Sequence, residues 1–188
     1  MHWELVMKAV VAVAIVLAMS FNVQTAFAGS SGDAAVSLDD VTKLVGDKEA
    51  AIRAAESTLA PIRSRSDLSE YLSTHATSPV TALSQRSAKL FLDSLVFTEY
   101  GLASYRTAEI ESELTPRQAY AILSLFGVQQ SIAQLQIRAG TPEELEALHN
   151  IGPVIDDDHA DYRCQPPATC LSTMAAICIG QNCKGSAQ

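Results

Sequence analysis

Cysteine is missing from the first 163 residues of this 188-residue chain, and all four cysteines lie between Cys164 and Cys183. Paired C-x2-C knuckles are also missing, as are the G-x-S-x-G and H-E-x-x-H motifs of common hydrolases. We therefore expect a protein that is not an enzyme and that has no catalytic, cofactor-binding or metal site.

The sequence also lacks clusters of basic residues. The chain has 13 basic and 21 acidic side chains, a formal net charge of −8, and its arginines are scattered along the sequence. Binding to a phosphate backbone depends on lysine and arginine replacing counterions, so the composition argues against a nucleic-acid partner. With 48% hydrophobic residues the chain is predicted to be globular rather than disordered.

Strand signals are nearly absent, because the sequence has no alternating valine and isoleucine runs and no Asn-Gly or Asp-Gly turns. Helix signals are frequent. Two segments, Thr115–Gln118 and Thr141–Glu144, combine a threonine N-cap, a proline at the first helical position and Gln or Glu at the third. The predicted fold is all-α, an irregular helical bundle.

Five helices are expected in this bundle, and the segment Leu102–Leu114 is ambiguous between a loop, a short strand and a further short helix. The first follows Ser37, with Asp40 as an acidic variant of the capping box, and carries an apolar face to Pro61. The third follows Ser78 and Pro79 and ends near Gly101. The fourth, from Pro116 to about Ile137, is apolar on two faces and should occupy the middle of the bundle. The second and fifth are short, beginning at Ser66 and Pro142, and the fifth ends near His149.

The N-terminus resembles a secretory signal. Lys8 precedes an eleven-residue apolar run, Ala9–Met19, and the small-residue pattern Ala26-Phe27-Ala28 follows. The run is shorter than the roughly 20 residues that cross a bilayer. We expect cleavage after Ala28, no integral membrane segment afterwards, and a periplasmic or secreted protein. Translation can begin at Met1 or at Met7, since Glu4 fits the basic part of a signal poorly.

An exported chain with an even number of cysteines is expected to form disulfides. Four cysteines allow three pairings, and the spacing chooses none of them. A tail of about 35 residues buries too little apolar surface to fold unaided, so two disulfides should stabilise it. Residues 153–170 are expected to form loop, while Leu171–Gly180 could form two helical turns. The candidate disulfide residues are Cys164, Cys170, Cys178 and Cys183.

Other chemistries for the tail are weaker. Zinc could use the four cysteines with His159, but the ligand spacing and the export signal favour oxidation. The aspartates lack the spacing of a calcium loop and are interpreted as a solvated acidic linker; they are Asp156, Asp157, Asp158 and Asp161. Redox activity would require a C-x-x-C motif. The histidines fit no catalytic arrangement; they are His75, His149 and His159.

The expected organisation is a signal peptide (1–28), a flexible lead-in (29–36), a helical bundle (37–152) and an acidic linker with a cysteine-rich tail (153–188). The favoured function is an exported, non-catalytic binding or structural module that contacts a protein partner. The alternative is a precursor whose helices escort a releasable cysteine-rich peptide, for which an antibacterial role is one option. The sequence does not indicate the oligomeric state.

Overall fold

The computed structural model describes residues 37–149, 157–165 and 169–184. The expected signal peptide, the expected lead-in and the expected boundary between residues 152 and 153 lie outside the described residues.

Helices and strands both contribute to the fold. The helices are α1 (Leu38–Leu59), α2 (Arg65–Thr74), α3 (Gln85–Ser94), α4 (Ala108–Glu113), α5 (Pro116–Ser124) and α6 (Pro142–His149). Short 3-10 helices cover Pro79–Ala82 and Gln129–Gln134. The strands are β1 (Val96–Thr98), β2 (Gly101–Arg106), β3 (Asp158–Gln165) and β4 (Thr169–Ile179).

The four strands form one antiparallel sheet in the order β1-β2-β4-β3. The prediction of an all-α bundle is therefore wrong. In the register of β2 and β4, Ser104 lies opposite Cys178 and Arg106 lies opposite Ala176. Most of β4 lies in the segment expected to form two helical turns, and β3 lies within the segment expected to be loop. Strand formation depends on neighbouring strands and burial more than on local residue preference, which explains why neither strand could be predicted from the local sequence pattern.

The helix starts were predicted correctly where a capping pattern is complete. Thr115 Oγ1 accepts a hydrogen bond from Gln118 N–H at 3.4 Å, and the Gln118 side chain accepts one from Thr115 N–H at 2.9 Å. Thr141 Oγ1 accepts from Glu144 N–H at the start of α6. Ser78 caps only a short 3-10 helix, and a second cap, Ser84, begins α3. Capping patterns are readable because their partners lie within a few residues.

The long fourth helix was predicted wrongly. α5 ends at Ser124, and Gly127 follows in a left-handed conformation with φ +68°. A Cβ on Gly127 would lie 2.7 Å from the backbone oxygen of Glu56 and from the Cα of Ser57. Glycine therefore allows the chain to turn and to pack directly against α1.

The main core lies between the sheet and the helices. Phe126 packs against Phe91 and Phe97, with ring centroids 6.2 and 6.3 Å apart. Ile177 and Ile179 of β4 are each 1% exposed and belong to the same cluster. The cysteine-rich segment therefore contributes side chains to the main core. We had expected it to be a tail separate from the helical bundle.

α1 has the expected bounds but not the expected burial. Its apolar residues Val41, Leu44, Val45, Ile52 and Leu59 are exposed, and Arg53 is the residue that it buries. Among the described residues, no helix combines the length and the apolar character needed to cross a membrane.

Candidate functional site

Two nested disulfides organise the C-terminal segment. Cys164 pairs with Cys183, and Cys170 pairs with Cys178, which is one of the three pairings that the sequence allows. No described cysteine is free. The expectation of disulfides is confirmed, and the structure selects the pairing.

The Cys170–Cys178 disulfide shows that β4 bends sharply. Eight steps of straight strand would separate the two Cα atoms by about 26 Å, whereas they lie 5.8 Å apart. The bend coincides with a bulge, because the register with β3 shifts between Ala160 and Tyr162. Asp161 and Ala175 both have positive φ there, and Asp161 Oδ1 accepts a hydrogen bond from Ala175 N–H at 3.1 Å. We call Cys170–Cys178 the closed loop.

The bend brings the sulfur atoms together. The Sγ atoms of Cys164, Cys178 and Cys183 all lie within 4.8 Å of one another, and all three residues are buried around Ala103. Because each sulfur is in a disulfide, none offers the thiolate that zinc requires. His159, the additional ligand considered above, has its ring 5.7 Å from that of Tyr162. The cluster acts as a second small core beneath the closed loop.

The outer side of the closed loop is apolar and exposed. Met174 is 90% exposed and Leu171 is 47% exposed. The backbone beneath them is restrained by the disulfide and by the hydrogen bond that Thr107 N–H donates to the carbonyl oxygen of Ala175 at 3.0 Å. The loop therefore presents two apolar side chains on a restrained backbone.

Two cavities adjoin the closed loop. The first, of about 330 Å³, is bounded by the end of α3, by Ser104–Arg106 of β2, and by Arg163 and Met174. The second, of about 450 Å³, is bounded by β3 and by residues 171–173 of the loop. Arg163 and Thr173 line both cavities. The loop and these cavities form the candidate binding site.

A buried polar cluster joins α1 to β3. Arg53 Nη1 and Nη2 donate to the two carboxylate oxygens of Asp158, each at 2.8 Å. Burial raises the pKa of Asp158 above its ordinary value, while the hydrogen bonds and charge of Arg53 act in the opposite direction. Asp158 is therefore a buried anchor, which corrects its interpretation as part of a solvated linker.

Tyr105 lies near this cluster. Its hydroxyl donates to Ser131 Oγ at 2.7 Å, because the Ser131 hydroxyl itself donates to the carbonyl oxygen of Val128. Burial raises the pKa of Tyr105, which keeps the phenol protonated. The arrangement holds the side chain in place and supplies no reactive base.

The remaining candidate residues are dispersed. His75 stacks on Tyr71 at the end of α2, and its Nδ1 lies within hydrogen-bond distance of Thr74 Oγ1. His159 belongs to β3, at the opposite end of the described chain. The His149 side chain and the whole of Asp156 lie outside the described residues. No catalytic arrangement is formed by the histidines that the structure describes.

Several residues of the site could not be predicted from the sequence. Ser104, Arg106 and Arg163 come together only when β2, β3 and β4 pair, and none belongs to a motif. The spacing of eight positions between Cys170 and Cys178 was visible in the sequence, but it implies a closed loop only once the pairing is known.

No family model, no curated protein and no solved structure matches this chain.

Proposed function

We propose that the protein is exported and acts as a binding module for a protein partner, with the closed loop as its contact surface. Met174 carries the proposal, because it is 90% exposed on a loop whose backbone is held by a disulfide and by the hydrogen bond between Thr107 and Ala175. Methionine and arginine are enriched at protein interfaces, and Arg163 lies beside the loop. A restrained loop loses less conformational entropy on binding than a flexible one.

Export is supported by the apolar run and the Ala26-Phe27-Ala28 pattern, together with two disulfides, which persist in oxidising compartments. The mature chain would then begin at Gly29, in the periplasm or outside the cell. Recovery of native protein that retains Ala9–Met19 would contradict export.

We favour the binding module over the precursor hypothesis. Release of the cysteine-rich end would remove β4 from the sheet and take Ile177 and Ile179 out of the main core. An escort that loses these side chains would lose part of its own core, so the structure offers no reason to propose release.

A capture experiment tests the role of the loop. Immobilised protein is exposed to the extracellular and periplasmic fractions of the native cells, and retained proteins are quantified by mass spectrometry. Met174→Asp should lower retention of the partner at least about tenfold, a loss of about 1.4 kcal/mol. The double variant Cys170→Ser/Cys178→Ser should also weaken it by releasing the loop.

Leu44→Asp is the matched control, because Leu44 is an exposed apolar residue of α1, outside the closed loop. It should retain the partner as the unaltered protein does. Equal retention by Met174→Asp and Leu44→Asp, or no protein retained by the unaltered chain, would rule out the loop as the contact surface.

A further inference from the structure

We propose that the first cavity, between α3 and the closed loop, binds a small carboxylate that carries a short apolar chain. The proposal goes beyond the protein partner described above, although Arg163 and Met174 belong to both surfaces. It rests on two polar side chains of the cavity, on the charges that line it and on its apolar rim. A free organic acid or the carboxylate of a peptide would supply the same chemical group.

Ser104 provides the first feature. It is 1% exposed, it lines the cavity, and its hydroxyl has no hydrogen-bond partner among the described residues. Buried hydroxyl groups are nearly always paired, because leaving one unpaired costs free energy. The neighbouring Ser94 hydroxyl differs, since it donates to the Phe91 carbonyl and accepts from Arg106 N–H. A ligand oxygen in the cavity would supply the partner that Ser104 lacks.

Arg163 provides the second feature. Its side chain is exposed at the cavity, and it forms no hydrogen bond or ion pair with the residues that the structure describes. Arg106, also at the cavity, is already engaged, because its Nη2 lies 2.9 Å from Glu109 Oε1 and its Nε donates to Glu109 Oε2 at 3.3 Å. The planar guanidinium of Arg163 is therefore available for two parallel hydrogen bonds to a carboxylate.

The charge balance indicates a monoanion. Glu109 offsets Arg106, and Lys89 offsets Asp93, the acidic residue at the cavity. Among the residues that line the cavity, Arg163 is the cation without an ion-pair partner, which matches one carboxylate better than a dianionic phosphate. The whole chain has a formal net charge of −8, so an anion gains attraction only where such a local charge exists.

The rim of the cavity indicates an apolar chain on the ligand. Leu90 is 40% exposed and Met174 is 90% exposed, and the buried Ala176 also lines the cavity. An aliphatic chain of a few carbons would cover these side chains, while its carboxylate reaches Arg163 and the Ser104 hydroxyl. Butyrate has this composition and serves as the probe.

Titration of the full mature protein with butyrate, followed by two-dimensional NMR, tests the proposal. Saturable shifts should appear at Arg163, Ser104 and Thr173, with a dissociation constant on the order of 1 mM. Arg163→Ala should weaken binding at least about tenfold. Arg163→Lys should retain only part of the affinity, because an ammonium group cannot form the two parallel hydrogen bonds that a planar guanidinium forms with a carboxylate. Ser104→Ala should weaken binding while leaving the fold intact.

The controls distinguish this site from a general charge effect. Arg117→Ala removes an exposed arginine of α5 that does not line the cavity, and it should leave butyrate binding unchanged. Butylammonium and chloride should produce no saturable shift at the three residues. Linear shifts with butyrate, or an equal loss in Arg163→Ala and Arg117→Ala, would overturn the site. Inorganic phosphate that binds as tightly as butyrate would overturn the carboxylate assignment.

Discussion

The Arg53–Asp158 ion pair connects two residues that are 105 positions apart in the chain. Their side chains are 8% and 1% exposed, so neither charge retains much contact with water. A buried charge is tolerated when its partner and hydrogen bonds compensate for the loss of hydration, and removing one partner leaves that loss uncompensated. Asp158 also accepts a hydrogen bond at its backbone oxygen from Gln134 Nε2, which ties the pair to the second 3-10 helix.

Arg53→Met is therefore expected to lower the free energy of unfolding by about 3–5 kcal/mol at pH 7. The Asp158 pKa, already raised by burial, should rise further without Arg53. A raised pKa in the folded state means that protonation favours folding, so the loss should shrink as the pH falls through that pKa. Urea unfolding of the variant and the unaltered protein at pH 7 and at pH 4 measures the loss in free energy of unfolding at each pH.

Lys43→Met, in the exposed Lys43–Asp47 pair of the same helix, is the control for that change. Exposed pairs contribute little, so the midpoint of unfolding should hardly move. An Arg53→Met loss that is equal at both pH values would show that Asp158 does not titrate as the structure implies.

At the scale of elements, the break between α5 and the second 3-10 helix sets the position of α1. Gly127 contacts the α1 backbone so closely that a side chain does not fit, and its φ of +68° disfavours other residues. Hydrophobic periodicity alone predicted a continuous helix through this position. Hydrophobic periodicity contains no information about the contact with the α1 backbone at Glu56 and Ser57, which lie far from Gly127 in the sequence.

Gly127→Ala should destabilise the protein by about 2–5 kcal/mol, from the left-handed conformation and from overlap with the Glu56 and Ser57 backbone. Gly46→Ala is the matched control, since Gly46 lies inside α1 with nothing within 4 Å of the added Cβ. That variant should be more stable by about 0.5–1 kcal/mol. Thermal melting followed by circular dichroism compares the two, and a neutral Gly127→Ala would mean that the contact with α1 is loose.

At the scale of the whole molecule, the last strands join the two ends of the described chain. β4 pairs with β2 through Ser104, Tyr105 and Arg106, and β3 is connected to α1 by the Arg53–Asp158 pair. The two disulfides form a small sulfur core, while Ile177 and Ile179 enter the main core. The C-terminal segment thus stabilises the molecule through apolar burial, strand pairing and disulfides.

Ending the chain at Gly152 is therefore expected to abolish cooperative folding. The truncated chain loses β3, β4 and two fully buried isoleucines, which exceeds what a marginally stable domain tolerates. Far-UV circular dichroism and thermal melting of the truncated and full-length proteins test whether cooperative folding is lost. Cys170→Ser/Cys178→Ser keeps both strands and should cost only about 2–3 kcal/mol from loop closure. A truncated chain that melts cooperatively would show that the helices fold without the sheet.

Short-range features of this protein were determined by the sequence itself. The N-caps at Thr115 and Thr141 and the bounds of α1 follow from residues a few positions apart, and such contacts form whatever surrounds them. The disulfides were predicted from the even number of cysteines and from an N-terminal pattern that resembles an export signal. The tertiary structure decided the strands, the cysteine pairing, the Gly127 turn and the burial of Asp158. Each depends on groups far apart in the chain, whose proximity arises only when the core forms.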